Sequence, residues 1–267
     1  MAELRAALSA AGVEGGRREK ARWVFADAEQ RQKEMQPKYH LLYSGQGSHY
    51  CELLLAEGDH AGAHGRAAKI QEWEMESDPL LDRALVRLAL GSSHLGLALA
   101  TIGGAQPAAE LGDARTVCVR LDEAVDGLRA SGNNDQVPRG LLARAAFHRG
   151  VGDWDGAARD LDEVEEIAEP GPMRLYLCDM ALERARLALA KIEAFAPLNG
   201  PLDDGPPKPE PPGEAERKRL RDEAAKRLAI AADYIAKCGY HKRDEELAEL
   251  QAVLSGARAF AGLPPRV

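Results

Sequence analysis

Aromatic residues are scarce, 5% of the 267-residue chain, which leaves few platforms on which single-stranded nucleic acid could stack. Positive charge is outweighed as well: 35 Lys and Arg stand against 43 Asp and Glu, a net charge of −8. A chain with a pI near 5.5 has no general affinity for phosphate backbones or anionic lipid, so no nucleic-acid partner is expected. Long apolar runs are missing. The most apolar window, 84–105, carries Arg87, His94 and the Gly103-Gly104 pair, which a lipid-facing helix does not tolerate easily. The N-terminus has Glu3 and Arg5 but no apolar stretch of the kind a secretory leader needs. Cysteines are few and scattered: Cys51, Cys118, Cys178 and Cys238 form no C-x-x-C pair, and read as thiols of a reducing compartment. These absences lead to the expectation of a soluble, acidic, cytoplasmic protein without a membrane partner.

Catalytic signatures are absent too. No G-x-x-x-x-G-K-[ST] phosphate loop and no G-x-S-x-G elbow occur, and no cysteine sits in an activating motif. His60 and His64 have the i, i+4 spacing of a helical ligand pair, but zinc needs three or four converging ligands and only Asp59 is close in sequence. The run Arg217-Lys218-Arg219-Leu220-Arg221 is flanked by Glu214, Glu216, Asp222 and Glu223, the pattern of a salt-bridged exposed helix. The expectation is a protein that is not an enzyme and holds no cofactor or metal.

What the chain has in abundance is the helix-favouring set Ala, Leu, Glu and Arg, with apolar positions recurring every 3.6 residues. Helices are expected over 19–35, 39–57, 59–76, 80–102, 108–130, 138–150, 154–168, 172–195, 214–237 and 242–260. The fourth, apolar on several faces, is expected to lie centrally. Trp23, Trp73 and Trp154 are expected to anchor interhelical packing. Seven prolines between 197 and 213 mark an exposed, semi-rigid linker or loop.

Self-similarity organises these helices. Pro138 and Pro172 lie 34 residues apart, each opening a helix, and Leu121-Asp122-Glu123-Ala124 is echoed by Leu161-Asp162-Glu163-Val164. Gly58-Asp59-x-x-x-Ala63 matches Gly152-Asp153-x-x-x-Ala157: glycine ends one helix, Asp caps the next, and a small residue permits close approach. A helix-turn-helix unit of about 34 residues is the tetratricopeptide period, and such units stack because one hairpin cannot bury its apolar face alone. The expected fold is all-α: a right-handed α-solenoid. Residues 1–15 form an N-terminal helix or tail, 16–196 the helical repeats, 197–213 the linker, and 214–260 a helical pair that completes and caps the stack.

The chain resembles the C-terminal tetratricopeptide region of bacterial STAND-type NTPases, the NACHT and NB-ARC proteins of defence and signalling. The matching strings include Gln36-Pro37-x-Tyr39-x-Leu41-Leu42-Tyr43-Ser44, Tyr50-Cys51-Glu52-Leu53-Leu54-Leu55-Ala56, Leu80-Leu81-Asp82-x-Ala84-Leu85 and Pro138-Arg139-Gly140-Leu141-Leu142. Gly171-Pro172-Met173-Arg174-Leu175, Lys237-Cys238-Gly239-Tyr240 and Arg243-x-Glu245-Glu246-Leu247 complete the set, over about residues 16–255. The resemblance implies the ligand-sensing part of a larger system or a stand-alone repeat protein. Without the phosphate loop, the family's ATPase activity is not carried over.

Registering the turns on the repeat places nine side chains on the expected concave groove: Ser48, His49 and Glu52; Arg83 and Arg87; Arg139 and Arg149; Tyr176 and Glu183. Their mixture of Arg, Glu and Tyr suits clamping of a protein or peptide ligand, or of a STAND NTPase or effector. The alternative is an autoinhibitory or oligomerisation module that contacts a neighbouring NTPase or effector domain. If Arg83 and Arg87 face the groove, reversing both charges should weaken binding with little change in melting temperature.

Overall fold

The repeat grammar is visible in the backbone of two turns. Gly58 and Gly152 adopt φ of +80° and +84°, the left-handed region glycine enters without a Cβ penalty. The following residues, Asp59 and Asp153, have nearly the same backbone (φ −79°, ψ 66° and φ −78°, ψ 73°). Each accepts a hydrogen bond at 2.9 Å from the third residue on, Gly62 N–H or Gly156 N–H. That bond satisfies one of the free donors of a helix start.

The computed structural model describes residues 15–102, 114–171, 173–194, 198 and 211–260, and every regular element among them is helical. The helices are α1 (Gly15–Met35), α2 (Ser44–Ala56), α3 (His60–Glu72), α4 (Leu80–Ile102) and α5 (Ala114–Ala130). They continue as α6 (Val137–Val151), α7 (Trp154–Ala168), α8 (Arg174–Glu193), α9 (Glu214–Cys238), a short 3₁₀ turn (His241–Arg243) and α10 (Asp244–Leu254). No described helix is long and apolar enough to cross a membrane. The expected break at 103–107 and the expected start at 108 lie outside the described residues.

Packing follows chain order. Each helix touches the next one, and α2 touches α4, α4 touches α6, α6 touches α8, and α8 touches α10. The buried clusters overlap in the same order. Phe25 of α1 stacks on Tyr50 of α2 with ring centroids 4.7 Å apart, within a cluster that includes Leu53 and Ala63. Cys51, Ile70 and Val86 join α2, α3 and α4. Leu88, Leu121, Leu141 and Leu161 join α4 to α7. Leu177 and Met180 on one side of α8 belong to that cluster, whereas Leu182 and Leu189 on the other side pack with Leu228 and Leu250. Residues 84–98 of α4 are almost wholly buried, in keeping with its apolar faces.

Several boundaries differ from the sequence pattern for reasons the pattern does not contain. The helix expected over 39–57 begins only at Ser44. Before it, Tyr39 N–H turns back to the Gln36 carbonyl at 2.8 Å, and Leu42 N–H is held at 2.8 Å by Glu29 of α1. Ser44 itself has φ +57° and donates its hydroxyl to Asp82 of α4. Trp23 is not a core residue: it is 68% exposed, and Phe25 and Ala21 take the inner face. Trp73 is half-buried, edge-on to Tyr39 and His40, and Trp154 packs at the margin of the main cluster. Of the proline-rich segment, Leu198 and residues 211–213 are described. Leu198 is not an exposed loop residue: it is buried, with its N–H donated to the Gly150 carbonyl at 3.0 Å.

Candidate functional site

A cavity of about 660 Å³ lies among α1, α2, α6, α8 and the turn from α9 into α10. Helical spacing explains how its walls arise. In α2, His49, Glu52, Leu53 and Ala56 line it at i, i+3, i+4 and i+7. In α6, Arg139, Leu142 and Ala143 do so, and in α8 Tyr176, Asp179, Leu182, Glu183 and Arg186 share the face turned to it. The remaining wall depends on one glycine. Gly239 ends α9 with φ +65°, and the Tyr240 N–H returns to the Ile235 carbonyl at 3.1 Å. This left-handed stop sends the chain back towards α8, carrying Tyr240, Lys242 and Arg243 to the cavity.

Four carboxylates stand at this site, and each is committed to guanidinium. Glu183 accepts from Arg149 Nε at 2.6 Å and Arg186 Nη1 at 3.0 Å. Glu246 is paired with Arg186 and accepts from Arg243 Nη1 at 3.0 Å. Asp179 accepts from Arg243 Nε at 2.8 Å and the Tyr240 hydroxyl at 3.1 Å. Glu52 is paired with Arg139, with His49 Nδ1 3.5 Å away. The relay through Arg149, Glu183, Arg186, Glu246 and Arg243 is nearly sealed from water, each residue at most 5% exposed.

Burial and charge set the protonation states. Burial alone would raise the Glu52 carboxyl, but Arg139 and His49 outweigh it and hold it down at about 2. Burial pulls Arg186 down to about 10 against the opposing pull of Glu183, so it remains charged near neutrality. Lys242 is lowered to about 8, first by burial and then by neighbouring Arg243, against the pull of Asp179 and Glu52. Burial also pushes the Tyr176 phenol up to about 12. The result is a set of fixed ion pairs around a cavity whose other walls are Leu53, Leu142, Leu175 and Tyr176.

Five of the nine side chains expected on the groove line this cavity together: His49, Glu52, Arg139, Tyr176 and Glu183. Arg149 stands behind Glu183, 2% exposed. Ser48 is buried in α2 with its hydroxyl donated to the Ser44 carbonyl at 3.2 Å. Arg83 and Arg87 stand elsewhere, sharing Glu74 from the turn between α3 and α4: Arg83 Nε at 2.8 Å and Arg87 Nη2 at 3.0 Å. Arg87 also lies 3.9 Å from Glu123. Asp179 and Arg186 were within reach of sequence reasoning, because they continue the α8 face of Tyr176 and Glu183. Arg18, Tyr240, Lys242, Arg243 and Glu246 were not, since nothing in the pattern brings α1 and the 240–246 segment to one place.

The Glu74 contacts have a measurable consequence. The Glu74 carboxyl is held below its ordinary value: burial opposes this, and the bonds from Arg87 and Arg83 outweigh it. Reversing both arginines to glutamate sets two new carboxylates against it. The expected result is a loss of roughly 2 kcal/mol or more by chemical denaturation, above the sub-1 kcal/mol cost typical of exposed charges. An unchanged stability would show that both guanidiniums are free to leave Glu74.

No family model, curated protein or solved structure matches the chain.

Proposed function

We propose that the chain is a non-enzymatic binding scaffold of tetratricopeptide type, a right-handed α-solenoid whose concave face receives a segment of a protein or peptide. The observation that carries this reading is the cavity itself. It is walled chiefly by α2, α6 and α8, each the first helix of its hairpin, together with Arg18 of α1 and the turn from α9 into α10. The first helix between α2 and α6, α4, does not line it, and the second helices contribute only Cys238. Chain-order packing supports the stacking. So do two ion pairs between residues 34 positions apart, Arg129 with Glu163 at 2.7 Å and Arg149 with Glu183 at 2.6 Å. Such pairs join equivalent places of adjacent units.

The non-enzymatic part rests on the state of the polar groups. The carboxylates are locked in ion pairs, which makes them poor proton shuttles. The Cys51 and Cys178 thiols are pushed up to about 12 by burial, which keeps them protonated and unreactive. A role as the sensing portion of a STAND-type defence or signalling system is the biological setting we propose, on the strength of the sequence resemblance.

Leu175 offers a clean test, because it lines the cavity yet is 46% exposed. The chain is used as bait against an NTPase or effector encoded beside it. Wild type should retain that protein, and Leu175→Asp should lose it with a melting temperature within about 2 °C of wild type, as befits a surface substitution. Equal capture by both would remove the concave face as the binding surface.

A further inference from the structure

The hydrogen-bonding groups of the cavity do not cancel. Its carboxylates Glu52, Asp179, Glu183 and Glu246 are matched one for one by the guanidiniums of Arg139, Arg149, Arg186 and Arg243. Lys242 and Arg18 also line the cavity, and among the described residues neither has a carboxylate partner. Lys242 Nζ stands 5.3 Å from the centre of the Tyr240 ring, a contact that uses none of its three N–H donors. Two further donors are orphaned: Arg18 Nε and Arg186 Nε are buried without a hydrogen-bond partner. Arg186 is itself only 2% exposed. In a chain of net charge −8, this pocket carries surplus positive charge and unused donors, while its four carboxylates are already taken up by guanidiniums.

Such an arrangement is unfavourable when empty. A buried donor without a partner costs free energy, and an ammonium facing other cations costs more. Both penalties are relieved by one kind of occupant, an anion rich in acceptor oxygens. The other walls limit what carries that anion. Leu53, Leu142, Leu175 and the ring of Tyr176 offer apolar surface, and about 660 Å³ falls within the range of small-molecule sites.

We propose that this cavity binds a small organic carboxylate, its anionic head at Lys242 and its apolar body against Leu53, Leu142 and Tyr176. The inference goes beyond the scaffold reading and stands without it: a metabolite-sized ligand would fill the cavity whether or not a protein segment lies along the concave rim. Lys242 is a binding residue whose ammonium, lowered by burial and by Arg243, is half-protonated near pH 8 and increasingly charged below it. Affinity should therefore fall as pH rises through that value, because the ammonium is the group that meets the carboxylate.

The test uses the full chain with 4-phenylbutyrate, its neutral amide 4-phenylbutyramide, and inorganic phosphate, followed by thermal denaturation and calorimetric titration. The acid at tenfold above its Kd should raise the melting temperature by roughly 3–6 °C, as expected for ligand binding to a chain of this size. The amide should not, and phosphate alone should give less than a third of the rise. Lys242→Met should weaken the acid by about tenfold or more, while its own melting temperature equals or exceeds that of wild type, since a half-buried cation beside Arg243 has been removed. The proposal is overturned by any of four results: no response to the acid, an equal response to the amide, an equal response to phosphate, or unaltered affinity in Lys242→Met. The acid and amide are compared on the wild-type chain, so the answer stands even where the variant does not fold. Lys242→Met is also carried through the capture assay: loss of acid binding with capture retained, or failure of wild-type capture with normal acid binding, separates this inference from the scaffold reading.

Discussion

Replacing Glu183 with alanine is expected to remove about 3–5 kcal/mol of stability, the cost of stranding buried charge. Glu183 is the shared acceptor of Arg149 and Arg186, and all three are 2% exposed. Without it Arg149 loses its bond of 2.6 Å, and Arg186, already pulled down by burial, keeps only Glu246. Such a loss is a large part of the 5–15 kcal/mol that holds a typical domain folded. Urea denaturation followed by circular dichroism measures it. Glu183→Gln retains an acceptor oxygen and should lose less. The double variant Arg149→Met with Glu183→Leu should recover much of the loss, because an apolar pair of similar volume avoids desolvating charge. A loss below 1 kcal/mol in Glu183→Ala would mean that water reaches these groups, and the sealed relay would have to be abandoned.

The elements of this fold that were legible in the sequence are those governed by neighbours in the chain. Asp59 and Asp153 cap helices after left-handed glycines, as their Gly-Asp turns require, and Gly239 ends α9 for the same local reason. Pro138 lies in the first turn of α6, where its missing N–H is harmless. The misplaced start of α2 has the opposite origin. Glu29, thirteen residues earlier, holds Leu42 N–H, and Asp82, thirty-eight residues later, accepts from Ser44. Neither contact leaves a periodic trace. Trp23 fails for a related reason: size marks a residue as a good core candidate, but the inner stripe of α1 was already filled by Ala21 and Phe25.

The cavity divides along the same line. Side chains spaced on one helix face, such as His49 with Glu52 or Tyr176 with Glu183, could be named from the pattern. The ion partners that fix their chemistry come from other helices: Arg139 reaches Glu52 across 87 residues, and Arg243 reaches Asp179 across 64. Arg83 and Arg87 illustrate the limit. Their spacing of four residues identifies a shared face, but only the position of Glu74 in the preceding turn tells which way that face is turned.

Arg139→Met should produce a pH-dependent loss, greatest at neutrality and shrinking as the solution is acidified. In the wild-type fold Glu52 is held at about 2 against an ordinary 4.5. A carboxyl depressed on folding contributes stability that is fully present above the unfolded value and disappears as pH falls through the folded one. For Glu52 that window runs from about 4.5 down to about 2, and the gap corresponds to about 3 kcal/mol at most. In the variant, burial is no longer opposed by Arg139, and only His49 remains to favour the anion, so the Glu52 carboxyl should rise. Protonation then stabilises the variant over the range in which it destabilises wild type. Urea denaturation at pH 7, 5, 4 and 3 should therefore show two stability curves that converge on acidification. The gap at pH 7 is expected to be about 2–3 kcal/mol, less than a sealed pair would give because Glu52 retains 29% side-chain exposure. Parallel curves would mean that Glu52 is not the carboxylate Arg139 holds, and the link between α2 and α6 across the cavity would have to lie in apolar contact alone.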